Sequence, residues 1–159
     1  MPVVHPTAYV DQSAQVIGDV QIGADSSLWM NVVARGDVNS IRIGSRSNVQ
    51  DGTIVHVMHG THPTQIGDDV TIGHGAVVHG CTIADRVLVG MGAIVLNGVA
   101  IGEDTIVAAG SLVTEGAAIP PRSLVMGSPA RVRRPLTDEE VASILTYANN
   151  YVRYKKDYE

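Results

Sequence analysis

An aliphatic residue recurs every six positions through most of the chain, and this repeat limits the fold more than any other feature of the sequence. The repeated positions fall into runs separated by two insertions and one five-residue step: Val10, Val16, Ile22, Leu28 and Ala34; Ile43, Val49 and Val55; Ile66, Ile72 and Val78; then Ile83, Val89, Val95, Ile101, Val107, Val113, Ile119 and Val125. This period matches neither the α-helix nor simple strand alternation. It predicts an all-β fold in which short strands, each ended by a turn, wind into a parallel β-helix around the aliphatic side chains.

The composition fits such a core and limits the binding partners and the cellular location that the chain can have. Of the 159 residues 45% are hydrophobic but only 4% aromatic, which favours narrow layers of small and β-branched side chains. The net charge of −5 argues against nucleic acid as a partner. The start MPVVHPTAYV lacks the basic and apolar regions of a secretory signal, and the apolar segment 87–101 is too short to span a membrane. With Cys81 as the single cysteine, we predict a cytoplasmic protein without a membrane partner.

We predict one domain with two parts, a hexapeptide-repeat β-helix over residues 1–130 and a connector with a C-terminal helix over residues 131–159. The repeat ends after Val125, where glycine and proline interrupt it. The basic residues of the connector are expected to be solvated or paired with acids: Arg131, Arg133 and Arg134. Thr137 and Glu140 have the spacing of a capping box. The helix that follows carries an apolar stripe expected to pack along the β-helix of its own or a neighbouring subunit: Val141, Ile144, Leu145, Ala148 and Val152.

The chain resembles the hexapeptide-repeat proteins, which implies a left-handed triangular prism with about three hexapeptides per coil. Counting three repeats per coil places Ala34, Val55 and Val78 on one face, each followed by an outward polar residue: Arg35, His56 and His79. Adjacent coils lie ~4.8 Å apart, so the two histidines are expected to stack and to share one metal ion.

His74 belongs to the preceding face, and a prism edge separates it from the stacked pair. It is therefore expected to meet the histidine pair of an adjoining copy. Cyclic symmetry would then give one three-histidine site per interface, and a triangular prism favours a trimer. Two insertions, of three residues after Ala34 and of five after Val55, should bulge outward as loops near these histidines.

Four segments resemble the γ-class carbonic anhydrases and their close relatives: RGD at 35–37, NVQDG at 48–52, His56, and GHGAVVHGCTI at 73–83. The resemblance covers nearly the whole chain. It implies a homotrimer with three interfacial Zn²⁺ sites that hydrates CO₂ to bicarbonate, with His56 and His79 from one subunit and His74 from its neighbour. A three-histidine site suits Zn²⁺ best and also accepts Fe²⁺ or Co²⁺.

The resemblance also assigns roles to other residues. Gln50 matches the position that orients the attacking hydroxide, and Tyr151 matches a helix tyrosine that reaches the pocket in some relatives. Three further residues match charged positions that tie subunits together and hold the site: Arg35, Asp37 and Asp51. Asn48 lies in the same motif as Asp51.

One departure from the family affects proton transfer. The most active relatives carry acidic residues that shuttle protons, one just after the RGD-like motif and one in a loop. Here Val38 follows Asp37, and the inserted loop contains no acid. His59 and His62 lie in that loop and are candidates for the shuttle, because histidine is the side chain that commonly exchanges protons at physiological pH.

Two other functions remain open from the sequence. The chain could be an acyltransferase with His79 or His74 as general base, although it has no extra domain or long acceptor-binding loop. It could also be a metal-binding relative with low or no activity, or a thioester hydrolase. Metal content, coenzyme A binding and CO₂ hydration would separate these functions.

Overall fold

A computed structural model describes residues 1–159, which form a parallel β-helix of about seven turns with a single C-terminal helix. The strands, in chain order, are β1 (Val3–Val4), β2 (Tyr9–Val10), β3 (Gln15–Ile22), β4 (Ser27–Leu28), β5 (Val33–Ile43), β6 (Asn48–Val49), β7 (Ile54–His56), β8 (Thr64–Ile66), β9 (Thr71–Ile72), β10 (Val77–His79), β11 (Thr82–Ile83), β12 (Val87–Val89), β13 (Ile94–Val95), β14 (Ala100–Ile101), β15 (Thr105–Val107), β16 (Leu112–Val113), β17 (Ala118–Ile119), β18 (Ser123–Gly127) and β19 (Ala130–Pro135). The helix α1 spans Asp138–Tyr154, and a 3₁₀ turn follows at Lys155–Asp157. No helix of the chain is long and apolar enough to cross a membrane.

The strands stack into three faces, so the predicted count of three repeats per coil is confirmed. The first face contains β2, β4, β6, β9, β12, β15 and β18. The second contains the first halves of β3 and β5, then β7, β10, β13 and β16, and the third contains β1, the second halves of β3 and β5, then β8, β11, β14 and β17. The repeated aliphatic residues point inward and are buried along most of the stack, as at Val55, Val78 and Val95, which have no exposed surface.

The two insertions emerge from the coils close to each other. The first is part of β5: the pairing with β3 shifts between Gly18↔Gly36 and Val20↔Ile41, so the extra residues form a bulge within a continuous strand. The second is a short loop closed by an antiparallel bridge between Met58 and His62. Asn39 in the bulge donates a hydrogen bond to the carbonyl oxygen of Met58 at 3.1 Å, which joins the two insertions.

The helix α1 begins as the sequence predicts. The Thr137 hydroxyl accepts from the Glu140 backbone N–H at 3.2 Å, and the Glu140 carboxylate accepts from the Thr137 backbone N–H at 2.9 Å. Ile144 and Ala148 are fully buried, whereas Leu145, another member of the predicted stripe, is 37% exposed in the single chain. The buried side of the helix continues instead toward Lys155, whose ammonium donates to the Thr7 carbonyl oxygen at 2.9 Å.

The connector is a strand, because β19 pairs antiparallel with β18. Arg134 forms two 2.7 Å hydrogen bonds to the Glu140 carboxylate, while Arg131 and Arg133 are exposed. The expectation is therefore confirmed: Arg134 is paired with an acid, and Arg131 and Arg133 face solvent. Because Glu140 also serves in the capping box, this one carboxylate joins the connector to the start of α1.

Acid is expected to loosen α1 through Glu140. Arg134 and the Thr137 backbone N–H lower the pKa of Glu140 to about 2 from 4.5. A lowered folded-state pKa contributes stability that is present above pH 4.5 and is lost as the pH falls from there toward 2. We expect the emission of Trp29, which contacts Tyr151 of α1, to change over this window.

Glu140→Gln should weaken this acid transition and shift the Trp29 emission already at neutral pH. Glu139→Gln is the matched control, because Glu139 is an exposed acid in the same helical turn. Equal acid transitions in wild type and Glu140→Gln would contradict the assignment.

Candidate metal centre

Two histidines stack on the second face, as predicted. His56 ends β7, His79 ends β10, and the two residues are direct partners in the parallel pairing. Their rings are half-buried with centroids 5.0 Å apart, and Nδ1 of His56 lies 3.0 Å from Nε2 of His79.

Hydrogen bonds at the outer nitrogens determine what the two facing nitrogens can do. Nε2 of His56 lies 2.9 Å from Oδ1 of Asp37, and Nδ1 of His79 lies 2.7 Å from Oδ1 of Asn97. Both oxygens are acceptors, so each ring donates its outer N–H. In the neutral rings the two facing nitrogens are then both lone-pair acceptors, 3.0 Å apart. Such a pair repels unless a cation or a proton lies between the nitrogens.

Asp37 carries the negative charge nearest to this pair. Its hydrogen bond from His56 lowers the pKa of the carboxyl group, and the contact with Arg35 lowers it further, against partial desolvation. Asp37 therefore stays ionised and fixes the His56 ring. The carboxylate that the resemblance assigned to subunit contacts thus also holds a histidine of its own chain.

His74 is the third histidine of the predicted set, and it lies just after β9 on another edge. Its side chain is 48% exposed, and Nδ1 lies 3.0 Å from Oδ2 of Asp51. This ion-pair contact involves Nδ1, so Nε2 remains for a ligand. No group of three or more His, Cys, Asp or Glu side chains within one chain is arranged to hold a metal ion.

A cavity of about 400 Å³ lies between the first face and α1, and three predicted site residues line it: Gln50, His74 and Tyr151. Gln50 is almost fully buried and donates to Oδ1 of Asn48 at 3.1 Å, and Asn48 in turn donates to the Thr71 hydroxyl at 2.9 Å. Burial, followed by the charge of Asp51, raises the pKa of Tyr151, which keeps its phenol protonated as a hydrogen-bond donor. The rest of the lining is mainly apolar and aromatic, including Leu88, Met91 and Tyr154.

The two loop histidines differ in their surroundings. His59 is exposed, whereas His62 packs over Gly80 and Gly98, with its Nδ1 2.9 Å from the Thr61 hydroxyl. His62 also shares a cavity of about 480 Å³ with Asn97 and Glu115.

Sequence reasoning did not identify Asn97 and Glu115 as site residues. The available signal was the coil length: Asn97 is 18 residues after His79, and Glu115 is 18 residues after Asn97. Stepping along the chain by one coil from His79 would have found both.

The comparisons place the fold first in a broad class. The family model described as bacterial transferase hexapeptide (six repeats) matches residues 63–96 and 80–115. A solved structure of a hexapeptide transferase family protein from Anaplasma phagocytophilum superposes with a TM-score of 0.96 at 40% identity, covering 99% of this chain and 93% of that one.

The sequence relatives narrow the class to one family. A protein of Methanocaldococcus jannaschii named "Probable carbonic anhydrase" is 57% identical over 150 residues, covering 94% of each chain. "Gamma carbonic anhydrase 1, mitochondrial" of Arabidopsis thaliana is 50% identical over 155 residues, covering 94% of this chain. The chain spans about 56% of the length of that plant relative. The protein belongs to the γ-carbonic anhydrase-like family of hexapeptide-repeat proteins.

Proposed function

We propose that the protein is a metal-dependent enzyme that hydrates CO₂ to bicarbonate, acting as a homotrimer with a Zn²⁺ site at each subunit interface. His56 and His79 of one subunit and His74 of the next would hold the ion. The observation that carries this proposal is the pair of facing acceptor nitrogens, 3.0 Å apart, with both outer N–H groups already engaged. This arrangement suits a cation between the rings.

The donor set fits zinc. Two nitrogens bound to a tetrahedral Zn²⁺ at ~2.0–2.1 Å lie about 3.3 Å from each other, close to the separation of the His56 and His79 nitrogens. Zinc-binding histidines commonly donate their second N–H to a carboxylate or carbonyl oxygen, as His56 does to Asp37 and His79 to Asn97. For His74, Nδ1 lies 3.0 Å from a carboxylate oxygen of Asp51, which is within ion-pair distance. Fe²⁺ and Co²⁺ are compatible with this donor set as well.

The surface beside the histidine pair supports a subunit interface. Outward apolar residues stack in register along the second face, one per coil: Val33, Ile54, Val77, Ile94 and Leu112. Ile54 and Ile94 are 46% and 37% exposed in the single chain. A continuous apolar ladder of this kind is typical of a protein–protein contact, and a neighbouring subunit covering it would bring another face next to His56 and His79.

A divalent cation at three imidazoles with an open coordination position supplies Lewis-acid activation of water near neutral pH. The chain's own residues would orient the reactants and remove the proton. Gln50 and the protonated Tyr151 offer hydrogen bonds at the cavity beside His74. Hydration of CO₂ by water yields bicarbonate and one proton, and His62 is the better placed of the two loop histidines to accept that proton, since it is near Asn97.

The test is metal content and CO₂ hydration measured on one anaerobically purified sample. We expect one zinc or iron ion per chain and stopped-flow hydration that is lost on chelation and restored by zinc. Metal at full occupancy without hydration in well-buffered assays would indicate a non-catalytic relative. Coenzyme A binding without bound metal would favour an acyltransferase.

Hydrolysis of an ester or thioester is the second candidate, and the cavity favours it. The volume of about 400 Å³ lies within the ~300–1,000 Å³ range of organic ligand pockets, whereas CO₂ has three atoms. Zinc-dependent cleavage of p-nitrophenyl acetate or of a short acyl thioester, faster than that by the His79→Ala variant, would support this activity.

Location in the cytoplasm remains a prediction from the sequence.

A further inference from the structure

We propose that Asn97 and Glu115 act as positioning residues that keep the His79 ring in the one tautomer whose Nε2 lone pair faces His56. The inference rests on the proposed metal centre and extends it two coils along the β-helix. Neither residue touches the site between the two rings. Both act through the hydrogen bond to the outer nitrogen of His79.

The first step is the contact of His79 with Asn97. Nδ1 of His79 lies 2.7 Å from Oδ1 of Asn97, and an amide oxygen only accepts. The ring must therefore carry its proton on Nδ1, which leaves the lone pair on Nε2. If the Asn97 amide were turned round, its NH₂ group would donate to Nδ1, and the proton of neutral His79 would move to Nε2.

The second step is what prevents that turn. Nδ2 of Asn97 lies 3.3 Å from Oε1 of Glu115, one coil further along. A carboxylate only accepts, so it selects the orientation in which the amide nitrogen faces Glu115 and the amide oxygen faces His79. Glu115 thus determines the orientation of the amide, and the amide determines the tautomer of the ring.

The consequence concerns the competition between a metal ion and an ordinary hydrogen bond. With a proton on Nε2, His79 would donate directly to Nδ1 of His56 at 3.0 Å, and the two rings would satisfy each other without a cation. Asn97 and Glu115 disfavour this closed arrangement. They also leave His79 with a neutral partner, whereas His56 has the carboxylate of Asp37.

The experiment measures zinc affinity by competition with a chromophoric chelator in the full-length protein. We expect Asn97→Leu to weaken zinc binding roughly 10- to 100-fold, the range for loss of a hydrogen-bond partner of a metal-binding histidine. Glu115→Gln should cause a smaller loss, at or below about 10-fold. Asn97→Asp, which keeps an acceptor facing Nδ1, should restore most of the affinity. Asn149→Leu and Glu139→Gln are matched exposed controls that should bind zinc as the wild type does.

A second measurement does not depend on metal. Two-bond ¹H–¹⁵N spectra of the metal-free protein should show His79 with its proton on Nδ1 in the wild type, and with the proton on Nε2 or exchanging in Asn97→Leu. Wild-type protein that binds no divalent ion would overturn the proposed function. Zinc-binding wild type with unchanged affinity and an unchanged His79 tautomer in Asn97→Leu and Glu115→Gln would overturn this inference alone. Because Glu115 is exposed, its variant provides the test even if Asn97→Leu fails to fold.

Discussion

If the proposed zinc site is correct, replacing His79 by alanine is expected to abolish zinc binding and to reduce CO₂ hydration to the rate of the buffer. The change deletes one of the three proposed ligands, and it removes the ring nitrogen that faces Nδ1 of His56 at 3.0 Å. Loss of an outer hydrogen-bond partner alone lowers metal affinity by up to roughly 100-fold. Because this change removes a ligand itself, we expect zinc affinity to fall by more than that. Metal analysis after gel filtration, with stopped-flow hydration of the same fractions, measures both effects.

The fold should survive the substitution, because His79 is only half-buried and the strand pairing of β10 uses its backbone. His5→Ala is the matched control, since His5 is an exposed histidine outside the proposed site. A His79→Ala variant that elutes like the wild type and still carries stoichiometric zinc would contradict the assigned ligand set.

The second large effect is expected from Gly18→Ala, far from the histidines in sequence. Gly18 has φ +82°, and a Cβ atom there would lie 2.1 Å from the carbonyl oxygen of Gly36 in the next coil. The backbone of β3 or β5 must therefore move, and Gly36 lies between Arg35 and Asp37. We expect a loss of several kcal/mol in the free energy of unfolding, of the size seen for severe backbone or packing conflicts, together with weaker zinc binding as Asp37 shifts.

Gly110→Ala separates the steric conflict from the cost of the left-handed backbone. Gly110 has φ +66°, and nothing lies within 4 Å of a Cβ atom there. Its substitution should cost only about 1–2 kcal/mol, the price of that conformation for a residue with a Cβ atom, and should leave zinc affinity unchanged. Chemical denaturation of the three proteins provides the comparison. Equal destabilisation by the two substitutions would show that the contact between Gly18 and Gly36 has no special role.

The stacking of His56 on His79 could be predicted because a β-helix converts sequence spacing into position. Once three repeats make a coil, residues in equivalent repeats must pair, and both histidines follow an inward aliphatic residue. The capping box of α1 could also be predicted, because it depends only on the local spacing of Thr137 and Glu140. Handedness is not contained in a six-residue period and came only from the resemblance.

Features that depend on insertions or on docking could not be predicted in the same way. The bulge in β5 shifts the register beside Asp37, and one hydrogen bond joins it to the second insertion at Met58. The cavity beside Gln50 exists only because α1 docks on the first face. The apolar stripe does not reveal the rotation of the docked helix, so it could not predict that Ile144 is buried and Leu145 exposed in the single chain. Its residue type does not mark Asn97 as part of the site. Only its position, one coil after His79, could have indicated it.

Subunit mixing tests the central claim most directly, because the proposed site needs His74 from one chain and the histidine pair from another. The His74→Ala variant and the His56→Ala/His79→Ala variant should each be unable to hold zinc. When the two are refolded together in equal amounts, random assortment into trimers should restore about one interface in four, with zinc and CO₂ hydration in proportion. A mixture that binds no more zinc than the separate variants would contradict an interfacial site, as would a His74→Ala variant with full zinc occupancy.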